Sequence, residues 1–415
     1  MKIKRIKDIS QTPLIIYLIL MIAISVTAIN SAIPLTKLNY PKILNPNFAL
    51  KQFIFIGLGG IITIIIIIIG SERIRAFRWW IYTFCMIPLI GLLIHQYLFE
   101  IPFAIDRNGA YSWYEFGGNT IQPSEFMKIG IVLVVADLIQ THNECYSHLT
   151  RNFKTDFKLL LKIMAAVLPP AVCIFVQPDS GITMIILFFV ALMIFASGIQ
   201  WRYILTLCGI IIIGVVIFIL LVSIFPEFLT EVLNIQLYKL NRFYGWFDPF
   251  GTIQTHGNQL AKGLLAMGSG GLSGNGFQSS TIYFPEAHTD FIFAVIGMDF
   301  GLIGTLITVL LCGLFDFEIL NIAEKNRGHY NAYVCIGVFG MLFFQQIQNI
   351  GMIIGLLPIT GITLPFISYG GSSSISYMIL FGLILCSYLD GVKIKHNDIE
   401  IYEKTLYLKT KPFIK

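Results

Sequence analysis

FIFIGLGGIITIIIIIIG, residues 53–70, runs for eighteen residues without a charge, and Thr63 is its only polar side chain. As a helix it would be about 27 Å long, close to the hydrocarbon thickness of a bilayer. A helix on a soluble core carries a polar face, and this stretch has none. Comparable apolar stretches recur, giving about ten spans near residues 13–35, 53–70, 79–98, 122–140, 159–176, 179–198, 203–225, 290–313, 331–356 and 372–390. The chain of 415 residues is 56% hydrophobic and 12% charged, where soluble domains carry about 25% charged residues. The expected fold class is all-α, a polytopic membrane protein.

Lys and Arg set the orientation of such a chain. With the N-terminus inside, 19 of the 28 Lys and Arg residues fall in cytoplasmic segments and 7 in external ones. Both termini are therefore expected in the cytoplasm. The net charge of +5 expresses that topology rather than nucleic-acid binding. MKIKRIK leads into an apolar stretch too long for a signal peptide, with no small-residue cleavage site, so a retained first span is expected. The expected organisation is a membrane domain over 1–395 and a cytoplasmic tail over 396–415.

Residues 226–289 form a large external loop before the eighth span, far beyond usual connection lengths. It contains FYGWFDPFG and a candidate interfacial helix, Gln259–Met267, and is expected to roof whatever site lies behind it. A smaller external loop, 99–121, holds DRNGAYSWYEFGG.

Several kinds of chemistry find no support. The seven cysteines (85, 145, 173, 208, 312, 335 and 386) show no CxxC or Cys/His spacing and read as packing residues. GSGGLSGNG (268–276) fits neither a P-loop nor a dinucleotide fingerprint and reads as a flexible loop. No HExxH and no GxSxG occurs.

What remains is polar residues at the external ends of spans. PEAHTDFIFA (285–294) crowds Glu286, His288, Thr289 and Asp290 against an apolar run. Thr289 or Asp290 stands where a helix cap belongs, yet one serine would have capped adequately. In QPSEFMK (122–128), Glu125 and Lys128 share a helix face at i,i+3 and can pair inside a span. Asp299, within the eighth span, is a plausible partner for Lys128. QPDSG (177–181) reads as a tight turn in which Asp179 caps the sixth span. QNIGMIIGLLPITGITLPFISYGGSSS (348–374) is uncharged but interrupted by prolines and glycines. Irregular backbone at membrane depth persists only where protein or a wet cavity surrounds it.

Together, GAYSW with QPSEFMK, QPDSG, PEAHTDFIFA and NIGM…GLLPITGITLPFISYGGSSS resemble the SEDS family of RodA, FtsW and SpoVE, in order and over nearly the whole chain. The resemblance implies a peptidoglycan glycosyltransferase of the bacterial cytoplasmic membrane. Such an enzyme polymerises lipid II onto a growing glycan chain, beside a monofunctional penicillin-binding transpeptidase and other elongation or division proteins. The family's essential carboxylate falls on Asp290. Its QPSE-x-x-K residues fall on Gln122, Ser124, Glu125 and Lys128, and the tryptophan of its GA-x-x-W loop falls on Trp113. Ser368 and Tyr369 of the SYGG stretch, with Glu286, His288 and Thr289, join the expected substrate-binding set. The family commonly has two acids where this chain has Met298 and Asp299, and its QPDLGT turn reads QPDSGI here, with Ser180 and Ile182. SGIQWRYI (197–204) resembles the RodA branch.

Joining a sugar 4-hydroxyl to an anomeric carbon that leaves a lipid diphosphate requires a base and a cationic environment. Asp290 is expected as that base, or instead as ligand of a divalent cation, Mg or Mn. Arg107, Lys128, Arg242 and Lys262 are the cationic candidates for the diphosphate. Two rivals stand beside this reading: a lipid-precursor flippase or transporter, and a non-catalytic scaffold of the wall-synthesis complex. Against a transporter, no inverted repeat is evident, and the titratable cluster lies at the outer edge rather than the midplane.

Overall fold

The computed structural model describes residues 13–39, 47–107, 110–146, 152–203, 205–206, 209, 213–214, 237–279 and 281–410. Its helices are α1 (Pro13–Ser31), α2 (Ile33–Asn39), α3 (Phe48–Ile69), α4 (Ser71–Ala76), α5 (Arg78–Tyr97), α6 (Pro123–Cys145), α7 (Phe153–Val176) and α8 (Ser180–Ala196). They continue with α9 (Leu237–Phe247), α10 (Asn258–Ser269), α11 (Ile292–Lys325), α12 (Tyr330–Ile353) and α13 (Gly371–Thr410). Among the described residues, seven helices are long and apolar enough to cross a bilayer. The expected seventh span, 203–225, lies largely outside the described residues.

Helix α6 is the centre of the bundle. It carries Glu125, Lys128 and Asp137, which depress its hydropathy, yet nearly its whole length is buried by neighbouring helices. Charge is tolerated there because protein rather than lipid surrounds it. The outer helices invert this pattern. α3 exposes Phe53, Ile54, Leu58, Ile61, Ile64, Ile65 and Ile68 and buries only Gln52, Gly59, Thr63, Ile66 and Ile67, and it packs on α13.

The loop at 99–121 adds a small antiparallel sheet to this helical fold: β1 (Ala104–Arg107), β2 (Ala110–Phe116) and β3 (Asn119–Ile121), in that order. Ser112 on β2 donates to the carbonyl of Gln177 at 3.0 Å, tying the hairpin to the QPDSG turn.

Two expectations are corrected in and around α11. Asp299 does not meet Lys128; its carboxylate accepts hydrogen bonds from Ser31 at the end of α1 and from Ser279 in the long loop. GSGGLSGNG is not a free loop either. It packs on a kink in α11 at Gly301, where φ is 64° and ψ is −159°. A Cβ on Gly301 would stand 2.4 Å from the nitrogen of Gly274, so close backbone approach demands glycine there. Asn275 and Gly276 donate to the carbonyls of Met298 and Asp299 freed by the kink, and Leu302 and Ile303 donate back to Gly271 and Leu272. The glycines make room for this pairing.

The expected helix at Gln259–Met267 is α10, one or two residues longer at each end. It buries Leu260, Ala261, Gly263 and Ala266 and packs on α11. Trp246 of α9 donates to the carbonyl of Gly355 at 2.9 Å, fastening the long loop to the end of α12. α13 continues as one helix across residue 395.

Candidate active site

The PEAHTDF stretch folds as a turn before it becomes a helix. Glu286 takes a positive φ of 53°, unusual for a residue with a Cβ. Its carbonyl then accepts from the backbone nitrogens of both Thr289 and Phe291 at 3.2 Å. This turn delays α11 to Ile292, whose cap is Phe291 with no side-chain hydrogen bond. The capping expectation for Thr289 and Asp290 is thereby corrected: neither oxygen is spent on the helix. Instead the Thr289 hydroxyl lies between two carboxylates, 2.9 Å from Glu286 Oε2 and 3.0 Å from Asp290 Oδ1.

Asp290 is only 8% exposed. Burial, and next the negative charge of Glu286, raise its pKa from the ordinary carboxylate range to about 7; the Thr289 hydrogen bond and the charge of Arg242 act the other way without cancelling them. A helix N-terminus would have lowered the pKa, but the turn and burial decide. A base works best with a pKa near the working pH.

His288 is buried with its ring stacked on Phe48, centroids 4.6 Å apart, and beside Tyr369 at 5.6 Å. Burial lowers its pKa, opposed by Glu286, so the imidazole is neutral near pH 7. Its carbonyl accepts from the nitrogen of Tyr369 at 3.0 Å, holding the PEAHTDF turn to the SYGG stretch. Ser368 uses its hydroxyl within its own turn, accepting from Leu364 N at 2.8 Å.

The interrupted stretch after α12 runs beside this turn. Gly361 has a φ of 72°, and a Cβ there would stand 3.9 Å from Asp290 Oδ2, so the carboxylate faces this segment. Gly181 of QPDSG abuts Thr360 and Ile362 of the same segment. Asp179 accepts from Gln122 Nε2 at 2.7 Å and from Ser124 Oγ at 3.5 Å, besides capping α8 through the nitrogen of Ile182. Burial first, then the charge of Glu125, raise the pKa of Asp179 to about 6. QPDSG, read as a structural turn, is thus joined to the QPSE motif. One turn deeper, Lys128 Nζ lies 3.0 Å from Glu125 Oε2, and both side chains are almost wholly buried. Lys128 also stands 5.9 Å from the centre of the Tyr377 ring, whose hydroxyl accepts from Gln345.

Not every expected residue meets Asp290. Trp113 sits on β2 opposite Ile105, half-buried in the hairpin. Lys128 is committed to Glu125. Lys262 on α10 lies 5.9 Å from the ring centre of Tyr283, just before the PEAHTDF turn, and the charge of Arg242 is felt at Asp290. Arg107 ends β1, and its side chain lies outside the described residues. The sequence reading also missed a residue: Asn349, whose amide touches the backbone of Asp290. Its one signal was an amide pair, Gln348–Asn349, at the end of an apolar span.

If Asp290 is the titrating base, kcat/KM for its reaction rises with pH through about 7, because the raised pKa keeps the carboxyl protonated below it. Glu286→Gln removes a charge that raises that pKa, so the acid limb should move to lower pH. A pH–rate profile of both proteins checks this; an unmoved or upward-shifted limb in the variant would count against the assignment.

The fold and site define a class: a multi-pass helical membrane protein with a buried carboxylate beside an interrupted, non-helical segment packed against its bundle. A sequence profile of the FtsW/RodA/SpoVE family, described as cell cycle protein, matches residues 11–388. The chain belongs to this family. It is 30% identical over 376 residues to the probable peptidoglycan glycosyltransferase FtsW of Bacillus subtilis, covering 89% of this chain and 88% of the relative. It is 32% identical to stage V sporulation protein E of the same organism, over 81% of this chain and 86% of that protein. Two solved structures share the fold at 24% identity. One comes from work on polymerisation and crosslinking by a peptidoglycan synthase complex, with a TM-score of 0.71 over 91% of this chain and 97% of that one. The other is the rod shape determining protein RodA of Thermus thermophilus, with a TM-score of 0.61 over 91% and 96%.

Proposed function

We propose that this chain is a peptidoglycan glycosyltransferase that polymerises lipid II into β-1,4 glycan at the outer face of the cytoplasmic membrane, with Asp290 as general base. The observation that carries the reading is the environment of Asp290: buried, raised to about 7, and facing the interrupted segment at Gly361. Asp290 takes the proton of the attacking 4-hydroxyl as oxygen bonds to the anomeric carbon and the diphosphate leaves with the bond electrons. One displacement inverts an α-linked donor to a β product. Arg242 and Lys262 are the cations assigned to the leaving diphosphate, while Glu125 and Lys128 pair within α6. The described part of the long loop, with α9 and α10 packed down, roofs the site and keeps water from the donor.

Among the described residues no group of three or more His, Cys, Asp or Glu side chains is arranged to hold a metal. Mg²⁺ is often held by only one or two carboxylates together with substrate phosphates. A cation delivered that way would be held by Asp290 in place of its role as base, and would neutralise charge on the diphosphate. The partner is a monofunctional penicillin-binding transpeptidase, which crosslinks the strands made here. Both termini and the tail after residue 395 lie in the cytoplasm.

Purified protein given labelled lipid II in detergent tests the activity. Glycan polymer without two compartments is expected, and a transporter or scaffold makes none.

A further inference from the structure

Beyond residue 353 the chain stops being helical while still packed against the bundle, so its backbone carbonyls need other donors. Two adjacent amides at the end of α12 supply them. Gln348 Nε2 donates to the carbonyl of Pro358 at 2.9 Å. Asn349 Nδ2 donates to two carbonyls at once, Asp290 and Ile362, each at 2.7 Å. Only the amide nitrogen can serve two carbonyl oxygens, which settles how this side chain is turned. Asn349 is wholly buried. It therefore joins three pieces of chain distant in sequence: the end of α12, the residue that carries the candidate base, and the segment Gly361–Ile362 that the carboxylate faces.

Resting on the reading of Asp290 as base, we propose that Asn349 is a positioning residue for the reaction. Its amide clamps the main chain of Asp290 to that of Ile362 and so sets the distance between the carboxylate and the segment opposite. The Asp290 side chain has a hydroxyl partner in Thr289, but the clamp holds the backbone from which that side chain extends. Without the amide, two buried carbonyls lose their donor and the turn is free to move away from the interrupted segment.

The test uses the full-length protein in the lipid II polymerisation assay, with unfolding temperature measured in the same detergent. Asn349→Leu keeps the volume and removes the donor. Its kcat is expected to fall about 10²-fold, the scale of an ångström-sized displacement. KM for lipid II should change less than about threefold, since substrate binding is not what the clamp supplies. Asn349→Gln keeps the donor on a longer arm and should recover about tenfold of that loss. A folded Leu variant with kcat within about threefold of the parent overturns the proposal, as does a Gln variant no better than Leu. Should Asn349→Leu not accumulate as folded protein, Asn349→Asp decides, because it is isosteric and polar but has no amide donor. Near-parental kcat in that variant overturns the proposal, and a loss confined to kcat supports it. Asp290→Asn is run alongside. Its inactivity keeps the base reading whatever Asn349 does, whereas its activity removes the base reading itself.

Discussion

Asp290→Asn is expected to give a folded, membrane-inserted protein that makes no detectable glycan polymer. Asn matches Asp in size and can still accept from the Thr289 hydroxyl, so the turn before α11 keeps its local contacts. What is lost is basicity, and general base catalysis alone is worth about 10²–10⁴-fold in rate. The same substitution should not weaken the fold at alkaline pH. The folded protein raises the pKa of Asp290 to about 7, so the stability tied to its protonated form is full below the unfolded value and lost as pH rises through 7. At pH 8 the parent therefore holds an unfavourable buried charge that the variant lacks. Unfolding temperatures at pH 8 should be equal or higher for Asp290→Asn, while polymerisation on labelled lipid II disappears. An active variant would return PEAHTDF to a purely structural role.

The second large effect is expected at Glu125 and Lys128. Their charges lie 3.0 Å apart, and Lys128 is completely buried. Removing one partner strands the other in a low-dielectric bundle, a change that typically costs about 3–5 kcal/mol. Glu125→Ala and Lys128→Ala should each destabilise the protein strongly. The double substitution should cost clearly less than their sum, because no charge is then left unpaired. Unfolding of the four proteins in one detergent closes the cycle. Additive losses would mean that the two groups do not stabilise each other. Ser376 also donates to the carbonyl of Glu125, so α13 should loosen with α6 in the single variants.

The membrane class, most spans and the Glu125–Lys128 pair were legible in the sequence because each depends on neighbours within a few residues. A run such as 53–70 measures itself against the bilayer, and residues three apart on a helix must share a face. Asp290 was legible from the density of titratable groups beside an apolar run. The β-hairpin was not, because its strands are short and its pairing is set by turns rather than by strong alternation. The partner of Asp299 could not be read either. Ser31 lies 268 residues away, and nothing in either local sequence announces the other. GSGGLSGNG looked like a flexible loop because glycine permits both freedom and close backbone contact, and only the kink at Gly301 shows which applies. Asn349 read as part of a broken helix, yet tertiary packing turned its amide onto Asp290 and Ile362. The sequence by itself determined that the chain crosses the membrane several times as helices and which residues carry charge in them, since hydropathy and helical spacing are local. Only the tertiary structure decided which of those polar groups face one another, because partners across a bundle are chosen by packing between segments hundreds of residues apart.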